Sequence, residues 1–120
     1  MIFNETRLAV LDNSGALIVK CFRVFGKSYG SIGTKLVVSV QTFRGGKKVK
    51  KGEIFKAVVV HVKSPHRRAT GNYIKFENNG VILWKRKEES PVGTRIRFNV
   101  PIELRFMGYL KVVLLSAGTF

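Results

Sequence analysis

Ile54-Phe55-Lys56-Ala57-Val58-Val59-Val60-His61-Val62-Lys63 is the stretch whose reading decides the fold. Alternation places Lys56, Val58, Val60 and Val62 on one face and Ala57, Val59, His61 and Lys63 on the other. Both faces are apolar near the centre, which suits a strand covered on two sides in a small β-barrel. Charge gathers at the two ends of this run. Arg44, Lys47, Lys48, Lys50 and Lys51 precede it, Lys63, His66, Arg67 and Arg68 close or follow it, and Glu53 is the one acid between residues 44 and 68. A β-scaffold that holds positive charge at fixed points has a polyphosphate as its natural counterpart, so nucleic acid is the expected partner.

The rest of the chain reads mainly as strand. Leu8 to Leu11 leads into Asp12-Asn13-Ser14-Gly15, whose short polar side chains bond back to the backbone while Gly15 can take a positive φ, which predicts a tight turn. Leu17 to Phe25 and Leu36 to Phe43 are rich in Val, Ile and Phe and bounded by glycines, so each is expected to be a strand. Glu77-Asn78-Asn79-Gly80 lies between Tyr73–Phe76 and Val81–Trp84 and predicts a hairpin. Thr94 to Val100 alternates again, with Arg95 and Arg97 opposite a core face of Ile96 and Phe98. Ile102 to Met107 predicts a single helical turn after Pro101, and Lys111 to Ser116 a return to strand. Phe22, Phe25, Phe43, Phe55, Phe76 and Trp84 are expected in the core, whereas Tyr29 and Tyr73, near loops, are candidates for base stacking. The expectation is one domain over residues 1–120, all-β, with little helix.

Composition narrows the function. The 22 Lys and Arg against 7 Asp and Glu give a net charge of +15, while 45% hydrophobic residues place the chain far from a disordered basic tail. The longest apolar runs, Ala57 to Val60 and Val112 to Leu115, are too short for a membrane-spanning helix. The first residues enter a strand pattern at once, unlike a secretory signal or transit peptide, so the chain is expected to work where it is made. Cys21 stands alone, which excludes an internal disulfide and fits a reducing compartment.

Sites of catalysis do not assemble from the sequence. Gly26-Lys27-Ser28 lacks the first glycine of a phosphate-binding loop and no helix pattern follows it. His61, His66 and Cys21 offer three zinc ligands at most, at spacings that match no zinc pattern, so no metal or other cofactor is expected. Glu88 and Glu89 are adjacent and point apart in an extended segment. Asp12 and Ser14 are accounted for by turn chemistry rather than by a hydrolytic triad.

Read in order, Asp12-Asn13-Ser14-Gly15-Ala16, Gly33, Val49-Lys50-Lys51-Gly52, Lys56-Ala57-Val58-Val59-Val60, Arg67-Arg68, Ile74-Lys75-Phe76, Asn79, Pro91-Val92-Gly93-Thr94-Arg95-Ile96 and Glu103-Leu104-Arg105 form one collinear set. The set closely resembles large-subunit ribosomal protein fourteen of the universal family, in its bacterial and organellar type, over essentially the whole chain. The resemblance implies a closed five-stranded β-barrel with a projecting β-ribbon and short C-terminal helical turns. It implies a non-enzymatic constituent of the large ribosomal subunit that binds large-subunit rRNA beside neighbouring ribosomal proteins. Arg44, Lys47, Lys48, Lys50, Lys51, Lys63, His66, Arg67 and Arg68 are then the expected rRNA contacts. Thr94, Arg95, Arg97 and Lys111, the last in a closing strand, would form a face toward the small-subunit rRNA across a bridge and toward the ribosome silencing factor. Arg97-Phe98-Asn99 departs from the family, which there has an aromatic, Gly and Pro. Nine phenylalanines with few alanines suggest an AT-rich organellar genome and hence the mitochondrion, with bacterial cytoplasm or plastid as alternatives. The competing readings are a free nucleic-acid-binding module, such as a barrel-type translation factor, and an RNA-acting enzyme.

Overall fold

The computed structural model describes residues 2–26, 28–44, 49–85, 87 and 89–119. Strands β1 (Arg7–Val10), β2 (Ala16–Val24), β3 (Lys35–Phe43) and β4 (Ile54–His61) follow one another along the chain. Two short strands, β5 (His66–Arg67) and β6 (Tyr73–Ile74), precede β7 (Gly80–Trp84), α1 (Glu103–Phe106) and α2 (Leu110–Leu115). The closed barrel has the order β1-β2-β3-β4-β7, as expected, and β5 pairs with β6 in a separate two-stranded sheet. Successive barrel strands alternate in direction, so with an odd number of them the first and last must run the same way. Closure is accordingly parallel, through Ala9 opposite Gly80 and Val10 opposite Val81. The expected lysine ribbon includes Gly45, Gly46, Lys47 and Lys48, which lie outside the described residues.

β4 and β7 explain why their sequences are apolar on both faces. Ala57, Val58, Val59 and Val60 are fully buried, as is all of β7. One side of each strand faces the barrel interior. The C-terminal third covers the other, contributing Val92, Ile96, Val100, Leu104 and Val112 to the same core. Val92 N–H donates to the Leu83 carbonyl at 3.0 Å, and the Trp84 ring meets Tyr109 edge to face at 5.7 Å. Gly80 gives the Leu11 side chain room where β7 passes β1, since a Cβ there would stand 2.7 Å from Leu11 Cδ1 and force it to move.

Several sequence expectations need correction. Asn79-Gly80 does not close a hairpin: β6 pairs with β5, and β7 pairs with β1 and β4. Asn79 instead anchors the crossover, its Oδ1 accepting the Lys63 N–H at 2.8 Å and its carbonyl the Ala9 N–H at 3.1 Å. Residues 94–100 make isolated bridges at Ile96 and Val100 rather than a strand. A bend at Phe98 leaves that ring 51% exposed, while Ile96 stays buried. Lys111 to Leu115 is helical, not strand, and Ser116 ends the helix in an extended conformation. Val112 at 0% and Leu114 at 72% exposure cannot share one face, as a two-residue period would require, and separate naturally on a helix. Of the aromatics assigned to the core, only Trp84 is buried; Phe22 and Phe43 are exposed and Phe25, Phe55 and Phe76 half-buried.

Candidate nucleic-acid interface

The first basic cluster is displayed by a turn before β4. Glu53 N–H returns to the Lys50 carbonyl at 3.2 Å and Gly52 takes φ of 80°, which is the left-handed third position of a type II turn. Lys50 and Lys51 are exposed on it, while Val49 beside them is 1% exposed and holds the loop to the core. Arg44 is exposed at the end of β3, its backbone N–H bound to the Gly15 carbonyl at 2.8 Å. Lys47 and Lys48 lie outside the described residues.

The second cluster follows β4. Lys63 and Arg67 are exposed and His66 is half-buried, with β5 stiffened by its pairing to β6. Arg68 is placed differently. Its Nε lies 2.9 Å from Glu103 Oε1, with the two side chains 22% and 19% exposed, so it staples the β5–β6 loop to α1. β4 has 8 residues, so the clusters stand roughly 25 Å apart at about 3.3 Å per residue, at opposite ends of one rigid strand. Carboxylates do not quench this charge: among the described residues the other ion pairs are Lys20–Glu5 and Lys35–Glu89, neither involving an expected rRNA-binding residue.

Thr94 and Arg95 are set by the Asp12–Gly15 turn. Asp12 Oδ1 accepts from the Ser14 N–H at 3.1 Å and the Ser14 hydroxyl at 2.6 Å, and Asp12 Oδ2 accepts from the Leu83 N–H at 3.3 Å. Burial raises the Asp12 pKa above its ordinary value, and these bonds oppose the rise. Beside it the Asn13 side chain accepts from the Thr94 and Arg95 N–H groups at 2.8 and 3.2 Å and donates to Thr94 Oγ1 at 3.0 Å. Gly93 lets the segment lie this close, since a Cβ there would meet Asn13 Oδ1 at 2.9 Å. Ile96 N–H binds the Leu115 carbonyl at 3.1 Å, tying the same segment to α2, on which Lys111 is exposed. Arg97 instead shares a cleft with Arg44. Sequence reasoning missed this meeting of one residue from each of the two expected contact sets, and nothing in their spacing signals it.

Groups with catalytic chemistry are occupied structurally. The Ser14 hydroxyl points to Asp12, and His61 stacks on Phe76 with ring centroids 4.0 Å apart while its Nε2 contacts the Asn99 carbonyl at 2.7 Å. Cys21 is buried in the barrel. Exposed cations on the loops of a closed β-barrel are the arrangement of an RNA-binding scaffold protein.

The chain belongs to the ribosomal protein L14p/L23e family, whose profile it matches over residues 1–120. It is thereby a structural protein of the large ribosomal subunit that associates with rRNA and with other ribosomal proteins.

Proposed function

We propose that the barrel, acting as one unit over residues 1–120, clamps two segments of large-subunit rRNA at the ends of β4 and presents a second face to the small subunit. The observation that carries this reading is that, among the described residues, Arg44, Lys50, Lys51, Lys63 and Arg67 have no ion-pair partner and lie toward the two ends of β4. Lys50 and Lys51, with Arg44, Lys47 and Lys48, serve one segment; Lys63, His66 and Arg67 serve the other. Arg68 contributes mainly by fixing the second loop through Glu103. Recognition runs through phosphate position and groove shape rather than base identity.

Thr94, Arg95 and Lys111, with Arg97 at its edge, form the face for small-subunit bridge rRNA and for the silencing factor. A shared face makes those partners mutually exclusive. The phenylalanine-rich, alanine-poor composition supports a place in the mitochondrial ribosome. The test is binding of large-subunit rRNA fragments across a salt series. Neutralising Lys50, Lys51 and Arg67 with glutamine should weaken binding and flatten the logarithmic salt dependence by about one for each phosphate no longer neutralised. An unchanged slope in folded protein would refute the clamp. Arg95→Glu should still enter large subunits but impair subunit joining.

A further inference from the structure

The corner Arg97-Phe98 divides two adjoining clefts on the β1 side of the barrel, and both are lined in part by Val10 and Leu11. The smaller, about 200 Å³, is bounded by Asn13, Leu17, Arg44 and Arg97. The larger, about 510 Å³, is bounded by His61, Phe76, Glu77 and Asn78. Phe98 belongs to both. Its ring meets His61 edge-on at 6.2 Å, and His61 stacks on Phe76 at 4.0 Å, so the three rings form one supported aromatic wall. Phe98 is nevertheless 51% exposed.

We propose that these clefts seat two successive unpaired bases of rRNA, with Phe98 as the stacking platform between them and Arg44 and Arg97 holding the intervening phosphate. The proposal rests on the rRNA-binding reading above and adds a single-stranded segment, bound at this corner, to the segments held at the ends of β4. Four features favour RNA as the occupant. Neither arginine has a carboxylate partner among the described residues, leaving both guanidinia for phosphate. An exposed ring braced by His61, which itself stacks on Phe76, offers a π face, which any base can use. Asn13, Asn78 and Glu77 line the clefts with the donors and acceptors that base edges need; the Glu77 carboxylate suits an amino or ring N–H and keeps the phosphate on the arginine side. Burial lowers the His61 pKa, which favours the uncharged ring as the support of the wall.

The test compares an oligouridine of about eight nucleotides, within the span a small barrel covers, with an RNA duplex. Because Phe98 is exposed, Phe98→Ala and Phe98→Leu should fold, which thermal melting of each variant checks. Both should weaken single-strand binding by at least about five- to a hundredfold, the loss that even one stacked base predicts, while leaving the duplex and the salt slope unchanged. Phe98→Trp should retain binding and fold comparably, and ultraviolet crosslinking of wild-type protein to the oligouridine should map to the Phe98 peptide. Full single-strand binding by Phe98→Leu would overturn the proposal, because leucine keeps the bulk that a protein partner would use and loses only the π face. Lys50 and Lys51 substitutions separate the two readings. If they weaken duplex binding while the Phe98 variants bind oligouridine normally, the clamp stands and the stacking site falls.

Discussion

Asn13→Ala should disconnect the segment at Thr94 and Arg95, the proposed subunit-facing segment, without touching a charge. The side chain makes three hydrogen bonds to that segment, at 2.8, 3.2 and 3.0 Å, across 81 and 82 residues of sequence. Each bond contributes a net ~0.5–1.5 kcal/mol. The site is exposed and water can resolvate the freed N–H groups, so the low end applies and the total loss is about 1.5–2 kcal/mol. For a chain of this length that corresponds to a melting point lower by roughly 5–10 °C. Thr94→Val removes only the bond from Asn13 Nδ2 and should cost about a third as much. Hydrogen exchange read by NMR gives the local measure: Thr94 and Arg95 amides should lose protection in Asn13→Ala, while those of β4 and β7 keep theirs relative to the global stability. Subunit joining should weaken together with the exchange change, and binding to rRNA through Lys50 and Lys51 should not. Unaltered exchange at Thr94 and Arg95, or equal losses in the two variants, would refute the reasoning.

Two further outcomes follow from buried or half-buried ionisable groups. Burial lowers the His61 pKa below its ordinary 6.5, so on acidification the unfolded chain takes up the proton first; the urea midpoint should fall as pH drops from about 6.5 through the lowered pKa, then level off, and His61→Phe should abolish that part of the pH dependence. A double-mutant cycle with Arg68→Met and Glu103→Gln should give a coupling of about 1–2 kcal/mol, between exposed and buried ion pairs, and a coupling under ~0.5 kcal/mol would mean that the pair does not hold the loop to α1.

What the chain's own pattern determined is the barrel and its charge. The β4 run is apolar on both faces, and no partner outside the chain is needed to read it as an interior strand; the Asp12–Gly15 turn likewise follows from side chains that bond to backbone two residues away. Lys50, Lys51 and Arg67 are legible as surface cations because a single acid, Glu53, stands against the whole basic run from residue 44 to 68. Tertiary structure decided the C-terminal third. Val112-Val113-Leu114-Leu115 is too short for its period to separate helix from strand, and the choice fell to how Val112 could be buried against the barrel while Leu114 stayed out. Asn79-Gly80 carries a hairpin signal, yet β7 gains more by completing the barrel between β1 and β4 than by pairing with the two-residue β6. The same distinction separates Arg67 from Arg68: adjacent in sequence and identical in chemistry, one is exposed and the other meets Glu103, 35 residues away. Arg44 and Arg97 come to share a cleft because β3 ends beside the Asp12–Gly15 turn and residues 94–97 pack over it. Local propensity acts over a few residues, whereas these placements depend on contacts that exist only once the barrel has closed.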